Sequence, residues 1–288
     1  MSTTVTAVLR DHLIKGGRPG EGWGYYQTHP PRLEPTAWAT LAMHGRQVRP
    51  GAAPLATWPV NDGILRERAD GAANFGFHGL ALVVMRACDI EHSTGCRSLV
   101  AGIERVKGIR LEQPARSRQD NSLQGWSWTP ETFSWVEPTA WCLLAVKKWA
   151  RTAGSSADMS RVSEAERVLI NRSCVDGGWN YGNPDVLGTN LRPYVPTSAI
   201  ALLAMQDRRD DPVVARSVDY LAAHALSEKS GAALSLAMIA LRVYNRGIEP
   251  VRAALLEQLP VTLALGNLAS IAMALYALED QSYAAFTL

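Results

Sequence analysis

The chain has 288 residues, of which 47% are apolar, and a formal net charge of +2. That supplies a sizeable core for one large domain or two small ones. The near-zero charge, with no Lys/Arg block, argues against nucleic acid as the main partner. The four cysteines (Cys88, Cys96, Cys142 and Cys174) form no CxxC pair and no zinc-ligand spacing.

Residues 4–14 predict a first helix, with Val5, Val8, Leu9 and Leu13 on one face. The opening MSTTVTAVLRDH lacks the basic start and apolar core of a signal peptide. After a glycine-rich loop comes GWGYYQTHPPRLEPTAW, residues 22–38, and then an apolar helix to His44. Residues 45–59 contain Pro50, Pro54 and Pro59, so any helix there is short. Asn61-Asp62-Gly63 reads as a turn. Residues 72–78 lead into an apolar helix at 79–86, a weaker copy of the same unit. A more polar helix at 97–106 and a charged connection at 109–123 follow.

The first loop then recurs without a gap as GWSWTPETFSWVEPTAW, residues 125–141, with a helix through Trp149 behind it. A third copy, GWNYGNPDVLGTNLRPYVPTSA, fills 178–199 and carries Val195 where the others have Glu. It sits between an amphipathic helix at 163–171 and an apolar helix at 196–205. The last two units, 213–243 and 250–278, repeat the amphipathic–apolar alternation without a Gly-Trp loop. The apolar stretch 263–278 is interrupted by Asn267 and Ser270 and falls short of a membrane span.

An internal repeat at this spacing marks a stacked array of like units. Apolar helices alternate with amphipathic ones about six times, with almost no strand signal. The expected fold is all-α: an α/α toroid of about six helical hairpins, an (α/α)6 barrel, spanning residues 1–288 as one domain. An open solenoid of helix pairs is the alternative. Pro35, Pro138 and Pro196 suit a first helical turn, where the missing N–H costs nothing. That places Glu34 and Glu137 at helix N-termini, as dipole-complementing caps or as groups facing a pocket.

Asp176-Gly177-Gly178-Trp179-Asn180-Tyr181-Gly182 resembles the repeat signature of the terpenoid cyclase/protein prenyltransferase toroids. Residues 35–41, PTAWATL, and 138–144, PTAWCLL, resemble inner-helix starts of squalene–hopene cyclases. Departures accompany the likeness. The DxDD acid motif of class II cyclases is reduced to Glu34 in RLEP and Glu137 in WVEP. Ser173 stands where the family's repeats usually carry Gln. The prenyltransferase zinc pattern and the thioester segment of complement-type toroids are missing, so no metal and no cofactor is expected.

The resemblance implies an isoprenoid-handling enzyme, cyclase-like or prenyltransferase-like, with an aromatic-lined apolar cavity and an isoprenoid or other hydrophobic partner. Glu34 and Glu137 are the candidate catalytic acids, since alkene protonation needs a carboxyl group held neutral by desolvation or a like charge. They lie in non-adjacent units, which argues against a close pair. Candidate lining residues are Trp23, Tyr25, Phe75, Phe77, Trp126, Trp128, Trp135, Trp179, Tyr181 and Tyr194 in the loops, and Trp38 and Trp141 on the helices. Aromatic faces there bind a hydrocarbon chain or stabilise a cation. The competing reading makes Trp23, Trp126 and Trp179 locks between units. Arg192, with Arg32, is a candidate for an anionic headgroup; His29 and His78 read as structural; Asp207, Asp210 and Asp211 read as a solvated loop. A non-catalytic toroid binding a lipid or protein is the second function. A carbohydrate-active barrel with paired carboxylates is the third. The expected location is the cytoplasm, with membrane-surface contact left open and the oligomeric state unreadable.

Overall fold

The computed structural model describes residues 2–44, 52–68, 70–113, 118–152, 157–279 and 283–288. Among these lie twelve α-helices: α1 Ser2–Gly16, α2 Leu33–Met43, α3 Ala52–Thr57, α4 Phe75–Ala87, α5 Cys96–Arg105, α6 Val136–Ala150, α7 Met159–Asn171, α8 Val195–Ala204, α9 Pro212–His224, α10 Gly231–Val243, α11 Glu249–Leu265 and α12 Leu268–Leu278. The even-numbered helices are buried on nearly every side, and most of the odd-numbered ones on one face only.

That difference sets the architecture, because a helix apolar all round needs neighbours all round. α2 packs on α4, α4 on α6, α6 on α8, α8 on α10, α10 on α12, and α12 returns to α2. The inner ring is therefore closed, and the open solenoid does not apply. α5 covers the groove between α4 and α6, α9 that between α8 and α10, and α11 that between α10 and α12. α1 lies on α12 beside the seam. This is an α/α toroid of six hairpins. Gly79 lets α4 and α6 approach closely, since a Cβ there would stand 2.7 Å from the Cys142 nitrogen of α6.

Element ends differ from expectation at a few places. α4 begins at Phe75 rather than Gly79, because the Asn74 side chain caps it by accepting from Phe77 N. α11 continues past Leu259 with Pro260 inside it, ending at a left-handed Gly266. Part of the short-helix region, residues 45–51, lies outside the described residues. The expected turn at residues 61–63 is the hairpin turn between β1 Val60–Asn61 and β2 Ile64–Leu65, with Asp62 and Gly63 both at positive φ. A second hairpin, β3 Asp185–Val186 with β4 Thr189–Asn190, escaped the sequence because Leu187 holds the left-handed position that Asn or Asp usually fills. No helix among the described residues is long and apolar enough to cross a membrane.

Candidate functional site

The repeated loops are clasps, and all three copies use the same bonds. The indole N–H of Trp23 donates to the Leu13 carbonyl of α1 at 2.7 Å, that of Trp126 to Ile103 of α5 at 2.8 Å, and that of Trp179 to Leu169 of α7 at 2.6 Å. The hydroxyl of Thr36, Thr139 or Ser198, in the first turn of the following inner helix, accepts from the Trp backbone N–H and donates to its carbonyl. The preceding glycine makes room, since a Cβ on Gly125 would stand 2.4 Å from the Thr139 Oγ1. Two residues beyond each Trp, a carbonyl caps the inner helix of the previous unit: Tyr25 O serves Leu268 N of α12, Trp128 O serves Phe75 N of α4, and Tyr181 O serves Val136 N of α6. In the α4 unit, which lacks the Gly-Trp loop, the Glu67 carboxylate does this for Leu33 N of α2. The Gly-Trp and Pro-Thr parts of the repeat are thus two halves of one lock.

Trp23, Trp126 and Trp179 consequently have no exposed surface. Of the two readings, cavity lining and lock between units, their bonds fit the lock, and Arg161 lies over the Trp126 ring at 3.9 Å. Phe77 packs edge-on against Trp128, with ring centres 5.3 Å apart. Trp135 stacks at 4.3 Å on Phe133, and Tyr181 at 5.1 Å on Tyr194. Phe75 is buried, whereas Tyr181, Tyr194 and Arg192 are exposed at the rim. His78 is fully buried: its Nδ1 accepts from Leu65 N and its Nε2 donates to the Leu99 carbonyl, and burial pushes its pKa down to about 4. Cys142 is also buried and its thiol pushed up by desolvation, as befits a core residue.

At the mouth formed by the inner-helix N-termini, Tyr25, Glu34 and Glu137 come together. The Tyr25 hydroxyl donates to Glu34 Oε2 at 2.5 Å. Burial raises the Glu34 carboxyl; the Tyr25 bond opposes that rise and the Glu67 charge adds to it. Glu137 is pushed up to about 7, first by burial and then by the charge of Glu34, against a hydrogen bond from Trp141. α2 and α6 stand on either side of α4 in the ring, near enough for the Glu34 charge to raise Glu137. Desolvation also outweighs the helix N-terminus, which by itself favours the ionised form.

One helical turn below each acid stands a tryptophan, Trp38 under Glu34 and Trp141 under Glu137. Their rings meet edge to face at 6.1 Å. Phe286, from the 3₁₀ turn Ala284–Phe286, lies 5.4 Å from Trp38, 5.9 Å from Trp141 and 5.7 Å from Tyr276. All four rings are buried. The axis, expected to be hollow, is filled at this level. Gln206 fixes the segment by donating to the Phe286 carbonyl and accepting from Leu288 N.

Three features had no clear mark in the sequence. Glu67 is paired with Arg32 as well as capping α2. Phe286 belongs to no repeat. Lys147, buried at the far end of α6, binds Glu166 at 2.7 Å and Asp207 at 2.6 Å. Asp207 and Asp210 are exposed, as a solvated loop requires; Asp207 also closes the Lys147 network, and Asp211 caps α9. No group of three or more His, Cys, Asp and Glu among the described residues is arranged to hold a metal ion.

The fold is an all-α toroid of six hairpins. The chain is similar in structure to a type II terpene cyclase from Scytonema in its apo form, with a TM-score of 0.55 and 14% identity, over 91% of this chain and 78% of that one. At that identity the likeness establishes the fold alone. No protein-family model and no curated protein matches the sequence.

Proposed function

We propose that this protein handles isoprenoids in the manner of a terpene cyclase, with residues 1–288 acting as one domain and Glu137 as the proton donor. The observation that carries the reading is the pair of half-buried carboxyl groups, each one helical turn above one of two touching indoles. A carboxyl group titrating at about 7 is half neutral at neutral pH, which is the form that donates. Its proton passes to an alkene carbon, the alkene becomes a carbocation, and the carboxylate recovers a proton when the cation loses one. Burial and then the charge of Glu34 hold the donor neutral, and the Trp141 indole is bonded to it. Tyr25, Trp128, Trp135, Tyr181 and Tyr194 form the rim that meets the hydrocarbon, and Arg192 is placed to meet an anionic head. The step uses only side chains of this chain. A cytoplasmic location and delivery from a membrane surface fit a greasy substrate.

A second reading, binding without chemistry, is favoured by the four rings that fill the axis. Incubation with isoprenoid hydrocarbons, alcohols and diphosphates of increasing length, followed by mass spectrometry, separates the two. Conversion that is lost in Glu137→Gln supports the first. Retention without conversion supports the second. Full turnover in Glu34→Gln, Glu137→Gln and the double variant removes both acids from the mechanism.

A further inference from the structure

On the face opposite the mouth, an open cavity of about 720 Å³ is framed by the C-terminal ends of α2, α4, α6 and α12. Its walls are of two kinds. Leu41, Tyr276 and Ala285 give an apolar side, and Arg86, Lys148 and Arg151 give a cationic one. Arg86 and Arg151 are half-exposed and reach outward to Asp89 at 3.9 Å and Asp207 at 3.6 Å. The half-buried Lys148 donates its ammonium to the Thr287 carbonyl at 2.6 Å. The carboxylate on this wall, Glu279, is engaged by Arg10 at 3.7 Å.

Cations at helix C-termini complement the macrodipole, and each contributes roughly 0.3–1 kcal/mol there. That accounts for basic residues at the ends of α4 and α6. It does not account for three cations, Arg86, Lys148 and Arg151, lining one cavity. Burial and the charges of Arg86 and Arg151 together push Lys148 down to about 8. Such an arrangement is relieved by an anion. Two guanidinium forks and one ammonium suit the several oxygens of a phosphate group. The volume falls in the range of small-molecule sites.

We propose that this cavity binds a phosphate or diphosphate group, with the apolar wall receiving the carbon chain of an ester. The site is independent of the mouth acids and stands whether or not they are catalytic.

Calorimetric titration of the whole chain with inorganic diphosphate, decyl phosphate and decanol tests it. The two phosphorylated probes should saturate, weaken with added salt, and lose affinity by about tenfold or more in Lys148→Met, the loss of one charge-assisted hydrogen bond. Tighter binding of decyl phosphate assigns an ester as the ligand; equal binding assigns free phosphate, and both support the site. Decanol binding as tightly as decyl phosphate, no saturation by either anion, or affinities unchanged in Lys148→Met would overturn the proposal. If Lys148→Met does not fold, the half-exposed Arg86→Gln and Arg151→Gln carry the same test, and anion binding unchanged in both sinks it.

Discussion

Five tryptophans of this chain are buried in two different settings. Trp23, Trp126 and Trp179 sit in the clasps, each donating to a carbonyl of an outer helix. Trp38 and Trp141 sit on the axis among Tyr276 and Phe286, and the Trp141 indole is bonded to a carboxyl group. Burial does not distinguish the two sets; the partner of the Trp141 indole N–H, a carboxyl group, sets it apart from the clasp indoles. The clasp set fastens units to one another, and Trp141 of the axis set acts on an acid. Fold and candidate chemistry are therefore carried by different copies of one residue type.

The largest effect that separates them is expected at a clasp. Trp126→Ala removes a fully buried indole and strands the Ile103 carbonyl, which should cost about 4 kcal/mol, measured by denaturant unfolding, with the titration of Glu137 unchanged in the folded fraction. A shifted Glu137 in that variant would blur the comparison.

The next effect is in pH, and its two parts have opposite signs. His78 is held neutral with its pKa lowered to about 4, so its contribution is complete above about 6.5 and is lost as pH falls towards 4, on the order of 3 kcal/mol. Glu137 is raised to about 7, so its contribution is complete below about 4.5 and is lost as pH rises through 7, by roughly 1–2 kcal/mol after allowance for its partial exposure. Stability measured against pH should lose its acid-side slope in His78→Gln and its neutral-side slope in Glu137→Gln.

A smaller change tests the clasp hydroxyl. Thr139→Val deletes a donor and an acceptor and should cost about 2 kcal/mol by thermal unfolding, whereas Thr139→Ser should recover most of it, because the third clasp already uses Ser198. Smallest of all, Tyr194→Ala at the exposed rim should shift stability by less than about 0.5 kcal/mol. A larger loss there would make the rim part of the clasp.

The repeat made the architecture legible. Alternating apolar and amphipathic helices foretold inner and outer rings, and the recurrent Gly-Trp with Pro-Thr foretold like units. The Glu residues were also legible as residues, but their mutual influence was not. Sequence spacing places α2 and α6 in non-adjacent units, whereas in the ring both flank α4 and their side chains meet inside it. The filling of the axis was hidden for a related reason. Phe286 lies beyond the last repeat, in a short segment with no periodicity, and only the closed ring gives it a place to enter. Glu67 was hidden because a side chain there does what backbone does in the other units.

The capping carbonyls run in one rotational sense, and the Tyr25 carbonyl carries that sense across the seam to Leu268. In an open array the final unit would lack a successor and would need a polar end-piece of its own. Here the earliest loop completes the latest helix. The assembly resembles a belt whose buckle is its own first hole, and loosening one link removes support from the link before it. Separate units should therefore not come apart one at a time; opening is a property of the whole circle.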